Sequence, residues 1–113
     1  MIITMTEHRV KRMAKRLQRV LDCLGIDLKY SACLELAARL CGFDSRWHYV
    51  HRDLDARLTP FDEFLSDNDF AIRDEFQMKT LEAAGLGVVA RELLDRVNPT
   101  GSWARHTLPP AEL

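Results

Sequence analysis

S-A-C-L-E-L-A-A-R-L-C-G-F, residues Ser31 to Phe43, carries a helix start, a helical body and a helix stop, and Trp47 follows four residues later. Ser31 supplies a hydroxyl that can cap the orphan N–H groups of a first turn. Leu34, Ala37, Ala38 and Cys41 recur at helical spacing, and Gly42 suits the left-handed position that ends a helix. Phe43 and Trp47 supply bulk for a turn and a following helix. The stretch therefore predicts two packed helices joined by a glycine-capped turn.

Working outward, residues 6–24 read as a first helix. Val10, Met13, Ala14, Leu17, Val20, Leu21 and Leu24 form one apolar stripe. His8, Lys11, Arg12, Lys15, Arg16 and Arg19 share the opposite face. Thr6 is the expected N-cap and Gly25 the expected stop. A connector from Ile26 to Tyr30 leads to the second helix, Ala32 to Cys41. A third is predicted over Arg46 to Arg57, with Trp47, Val50 and Leu54 inward. Thr59 as N-cap and Pro60 as first helical residue predict a short fourth helix reaching Phe64 or Leu65. The polar break Ser66-Asp67-Asn68-Asp69 precedes a fifth, Phe70 to Ala84, whose expected buried set is Phe76, Met78, Leu81 and Ala84. A sixth, Val88 to Val97, turns Val89, Leu93, Leu94 and Val97 inward. Asn98-Pro99-Thr100-Gly101 ends it, Trp103 is expected to fold back on the body, and Pro109-Pro110 begins a frayed end.

No alternating strand pattern or internal repeat occurs, so the predicted class is all-α: one compact bundle of five or six short helices in 113 residues. Its parts are a basic three-helix unit (1–58), an acidic helical hairpin (59–98) and a C-terminal tail (99–113). The first part holds 11 Lys and Arg against 7 Asp and Glu, the rest 5 against 10, for a net charge of −1. Such asymmetry predicts either halves that neutralise each other or a nucleic-acid-facing half with an acidic remainder.

Several classes fall away. No apolar run is long enough to span a bilayer, and the start is too short and too soon acidic for a secretory signal, so a cytoplasmic location is expected. Three cysteines, Cys23, Cys33 and Cys41, are an odd set without C-x-x-C and read as buried thiols on apolar faces. His48 and His51 lie one helical turn apart but lack further ligands at metal spacing, so neither metal nor cofactor is expected. Gly-rich phosphate loops, nucleophile elbows and H-E-x-x-H are absent from the sequence, and the carboxylates read as caps and a solvated face. The chain is read as non-enzymatic.

Two sets of residues remain as candidates for binding. The cationic face of the first helix, with Lys11, Arg12, Lys15, Arg16 and Arg19, can meet an acidic protein partner or phosphates. A membrane surface would need the apolar stripe free, and the core claims it. The second set follows from Ala38, Gly42 and Phe43, whose spacing fits a helix–turn–helix and would offer Arg46, His48 and Arg52 to base edges. Asp53 and Asp55 stand close to where phosphates would lie, and near-neutral net charge disfavours tight nucleic-acid binding. A protein partner is therefore the leading expectation, with DNA as the alternative. Both a monomer and a homodimer fit the pattern.

Ser31, Leu34, Glu35, Leu36, Ala38, Arg39, Gly42, Phe43 and Trp47, preceded by A-K-R-L at Ala14 to Leu17, resemble the helical module known as the glyoxalase-related domain over residues 8–52. The resemblance implies a small helical unit found in bacterial and plasmid-borne chains, and not glyoxalase activity, which needs a different βαβββ fold. L-A-A-R-L-C-G-F-D-S-R-W-H-Y followed by L-T-P-F-D-E-F is also similar to the second helix–turn–helix of arabinose-regulator-type activators. That likeness implies DNA binding.

Overall fold

The computed structural model describes residues 1–103, and its secondary structure there is entirely helical. Five α-helices follow in order: α1 (Glu7–Cys23), α2 (Tyr30–Leu40), α3 (Arg46–Val50), α4 (Asp67–Ala83) and α5 (Ala90–Val97). Short 3-10 turns at Asp62–Phe64 and Gly87–Val89 precede α4 and α5 respectively. α1 is the central element, packing on α2 along one side and on α5 along another. Its stripe delivers Val10, Met13, Ala14, Leu17 and Leu21 to a core completed by Cys33, Leu36, Ala37, Leu40, Leu81, Leu93 and Val97. Each large aliphatic side chain sealed there contributes about 1.5–3 kcal/mol.

α1 starts as its sequence predicts, with the Thr6 hydroxyl accepting the Arg9 N–H at 3.2 Å. α2 begins two residues earlier than expected, at Tyr30. Lys29 is its cap residue and has no capping oxygen, while Ser31 lies exposed in the first turn. Its other end follows the sequence: Gly42 takes φ +90°, its N–H reaches the Arg39 carbonyl at 2.9 Å, and Phe43 N–H reaches Ala38 at 3.1 Å. A side chain at Gly42 would also collide with backbone, because an added Cβ would lie 1.7 Å from the Met1 carbonyl oxygen. Glycine is thus required there twice over.

That collision reflects a segment without helical periodicity. Residues 1–5 run across the end of α2, where Ile3 N–H donates to the Cys41 carbonyl at 2.7 Å. Ile3 and Met5 are buried in the core. Thr4 and Thr59 hold each other, Thr4 N–H donating to Thr59 Oγ1 at 2.7 Å and Thr59 N–H to the Thr4 carbonyl at 2.9 Å. Thr59 is therefore not an N-cap, and the expected helix from Pro60 is replaced by the 3-10 turn at Asp62–Phe64.

The third helix is shorter than predicted and turned differently. Tyr49 is its buried residue, edge-on to Phe43 at 5.4 Å, with its hydroxyl donating to the Met5 carbonyl at 3.3 Å. Trp47, Val50 and Leu54 are exposed at 62%, 48% and 78%. The helix stops at Val50, and Asp53 then accepts the Asp55 N–H through its own carboxylate at 2.9 Å. This local bond offers the backbone an alternative to continuing the helix.

α4 starts at Asp67, capped by Ser66, whose hydroxyl accepts the Asp69 N–H at 3.1 Å. Its buried residues are Arg73, Gln77 and Leu81. Phe76 and Met78 are half-buried and Ala84 is exposed, against expectation. Arg73 is held inside by Asp62 at 3.0 Å and the Pro60 carbonyl at 3.0 Å. Thr100 Oγ1 donates to the same Asp62 carboxylate at 2.7 Å and accepts from Gln77 Nε2 at 2.9 Å. A polar cluster thus joins α4 to the segment after α5, where periodicity predicted apolar packing. In α5 the expected Leu93, Leu94 and Val97 are buried, while Val89 is half-buried in the preceding 3-10 turn. Of the cysteines, Cys33 and Cys41 are buried as expected and Cys23 is exposed. Pro109 and Pro110 lie outside the described residues.

Candidate interaction surface

The outward face of α1 sorts its cations into two groups. Arg16 is half-buried and donates to the Val97 carbonyl from Nε at 3.1 Å and Nη2 at 2.7 Å. It closes the C-terminal end of α5, where the helix dipole favours positive charge. Lys11 is exposed and reaches Glu7, four residues back, at 3.9 Å. Arg12, Lys15 and Arg19 are exposed, and among the described residues none of them has a carboxylate within ion-pair distance.

A cation outside the sequence-predicted set proves central. Arg9 donates to the carbonyls of Ser102, at 2.9 Å, and Gly101. Its guanidinium lies 3.6 Å from the centre of the Trp103 ring and 4.7 Å from that of Phe61. Trp103 does fold back on the body: Arg16 and Arg12 sit 4.8 and 5.4 Å from the same ring centre. The recoverable signal was spacing, since Arg9, Arg12 and Arg16 fall at i, i+3 and i+7 on one face.

The charges on this face oppose one another. Burial, then Arg12 and Arg16, pull the Arg9 pKa below the ordinary arginine value, with Glu63 partly countering. Burial, then Arg12 and Arg19, do the same to Arg16. Ion pairing across the chain does not relieve this. Glu7 takes Lys11, Arg46 and Arg52 within the basic half, and Asp62, Asp74, Glu75, Glu92 and Asp95 take cations of the acidic half. Every ion pair among the described residues stays within its own half, so the two halves do not neutralise each other by pairing.

Further along α1, Lys15 and Arg19 edge a groove of about 590 Å³ whose wall includes Ile26, Leu28 and Tyr30. Gln18 fixes that wall by donating to the Leu28 carbonyl at 3.1 Å. Asp22 and Asp27 also line the groove.

In the second candidate set Arg46 and Arg52 converge on Glu7 and the Tyr49 ring, while His48 has a separate partner. Arg46 is bonded to Glu7 and half-buried. Arg52 folds over the Tyr49 ring at 4.0 Å, donates to the Tyr49 carbonyl at 3.0 Å, and approaches Glu7 at 3.9 Å. His48 is exposed, with Nδ1 2.7 Å from Ser45 Oγ. His51 stacks on Trp47 at 4.0 Å, and its Nδ1 lies 2.8 Å from the Trp47 carbonyl. Both arginines expected at base edges therefore serve the interior of the N-terminal half. The sequence could not show this, because Glu7 lies 39 and 45 residues before Arg46 and Arg52 along the chain.

The fold and this surface define an all-helical module whose first helix presents a cationic outer face. No protein-family model matches the chain, and neither do curated proteins or solved structures. Among the described residues no helix is long and apolar enough to cross a membrane.

Proposed function

We propose that this chain is a non-enzymatic regulatory module that binds an acidic segment of a protein partner along α1. The observation carrying this reading is the row Arg12, Lys15 and Arg19, exposed and without a paired carboxylate among the described residues. Neighbouring Arg16 is held in mutual repulsion with Arg12 and Arg19, so an incoming carboxylate lowers the energy of the whole row. The apolar wall of the adjoining groove adds room for an aliphatic side chain of the partner.

Cys41, His48 and His51 have other employment. Burial pushes the Cys41 thiol up to about 12, which removes thiolate character at neutral pH. His48 and His51 are tied to Ser45 and to the Trp47 backbone. The resemblance carried by Ser31 to Trp47 favours a bacterial or mobile-element setting, and a cytoplasmic location is part of the same proposal. DNA binding is the second reading, supported by the same α1 cations but without Arg46 and Arg52, which are committed to Glu7 and Tyr49.

Titration of a fluorescent oligoglutamate peptide and of a short DNA duplex, at about 50 and 200 mM salt, separates the two. Peptide binding that is lost on Arg12→Glu, Lys15→Glu and Arg19→Glu, with helicity unchanged, supports the protein-partner reading. Steep salt-dependent binding of the duplex alone overturns it in favour of DNA.

A further inference from the structure

The aromatic ring lying on α1 is the feature the charge row does not explain. Trp103 is surrounded by three guanidinium groups, those of Arg9, Arg16 and Arg12, at 3.6, 4.8 and 5.4 Å from its ring centre. Its indole N–H donates to the Asn98 carbonyl at 2.6 Å. Arginine faces attract the negative face of an aromatic ring, and tryptophan does so most strongly. Yet Trp103 sits at φ +53°, a backbone region that bulky side chains rarely adopt. The ring is seated at the expense of its own backbone.

The neighbouring residues are anchored independently of that ring. Thr100 is held by Asp62 and Gln77, and Ser102 N–H donates to the Glu63 carboxylate at 2.9 and 3.1 Å. Loss of the indole contact therefore leaves the preceding strap in place. A side chain that is well placed, strained and separately tethered is suited to exchange.

We propose that the Arg9, Arg12 and Arg16 cradle is a docking site for an aromatic residue flanked by carboxylates in a protein partner, and that Trp103 occupies it in cis as an internal competitor. This rests on reading α1 as the partner-binding face. It adds the chemistry of the recognised residue: a ring for the cradle, and acids on either side for Arg12, Lys15 and Arg19. A partner that lacked the ring would gain the ionic contacts and leave Trp103 where it is.

The test uses the full chain and two labelled peptides, glutamates flanking a phenylalanine and the same glutamates flanking an alanine. Binding is read by anisotropy. The wild type is expected to bind the phenylalanine peptide more tightly than the alanine peptide. Trp103→Ala is expected to tighten the phenylalanine peptide about fivefold, because the competent open state no longer has to be populated against the indole. Trp103→Phe, which keeps a ring in the cradle, is expected to fall between. Displacement is also read without perturbing the cradle: in Trp47→Phe the remaining indole reports on Trp103, and its emission should move to the red with the phenylalanine peptide. Equal affinities of wild type and Trp103→Ala, together with unmoved emission, overturn the exchange while leaving the α1 reading intact. No binding of either peptide to any variant overturns both.

Discussion

Arg16 on α1 and Val97 at the end of α5 are joined by a forked hydrogen bond, Nε and Nη2 of the guanidinium both reaching one carbonyl oxygen at 3.1 and 2.7 Å. The same helix face therefore contains arginines with opposite duties, one closing a helix end and one facing water. Arg16→Ala removes a charge-assisted bond from an otherwise orphaned carbonyl, and should cost about 2 kcal/mol. Arg12→Ala should stay within about 0.5 kcal/mol. Urea unfolding of the two variants checks this, and equal losses would show that Arg16 holds nothing.

Asp62 and Arg73 form the ion pair withdrawn furthest from solvent among the described residues, with side chains about a tenth exposed or less. Breaking such a pair strands a charge, so Asp62→Ala or Arg73→Ala should each destabilise by about 3–5 kcal/mol. Asp62→Ala combined with Arg73→Ala should lose clearly less than the sum of the single effects. A double-mutant cycle in urea measures the difference, and additivity within about 0.5 kcal/mol would mean that the two residues do not act as a pair.

How far the fold was legible follows from these contacts. α1 was readable because its apolar and cationic residues separate cleanly around one helix, and Thr6 and Gly25 mark its ends. The buried side of α4 was not, because Arg73 and Gln77 look like solvated residues until Asp62 and Thr100 are brought to them. Residues 1–5 gave no periodic signal at all, although Ile3 and Met5 belong to the core. The same limit applies to the surface. Spacing identified the cationic face, but tertiary partners decided that Arg9 and Arg16 would be seated against the C-terminal strap, that Arg12 would stay exposed at the edge of the Trp103 ring, and that Lys15 and Arg19 would face water.

Gly42 and Gly25 share a left-handed backbone, at φ +90° and +80°, but differ in their surroundings. An added Cβ at Gly25 meets nothing within 4 Å, so Gly25→Ala should cost about 1 kcal/mol from backbone strain alone. At Gly42 the Met1 carbonyl occupies that space, and the N-terminal segment must move away. Gly42→Ala should then cost about 3 kcal/mol or more, as Ile3 begins to lose its burial. Thermal unfolding of both variants decides the matter. Equal shifts would mean that the segment yields freely and contributes little.

Acid sensitivity should trace to Asp74 and Glu63. The hydrogen bond from Arg91 dominates at Asp74 and, against some burial, holds its carboxyl below the usual aspartate range. At Glu63 burial pushes upward, but the hydrogen bonds from Ser102, followed by the charge of Arg9, prevail and leave it lowered. A carboxyl whose folded pKa is depressed stabilises the folded state fully above its unfolded value, near 4, and that contribution disappears as pH falls through the lowered folded value. Stability should therefore decline below about pH 4. Asp74→Asn should flatten that decline, because the unfolded chain no longer takes up a proton there that the folded chain refuses. The Arg91 contact at Asp74 is open to solvent on the arginine side, so the flattening should be partial and should shrink in high salt. Urea midpoints between about pH 2.5 and 6 measure the slope, and an unchanged acid limb in Asp74→Asn would assign the decline to other carboxylates.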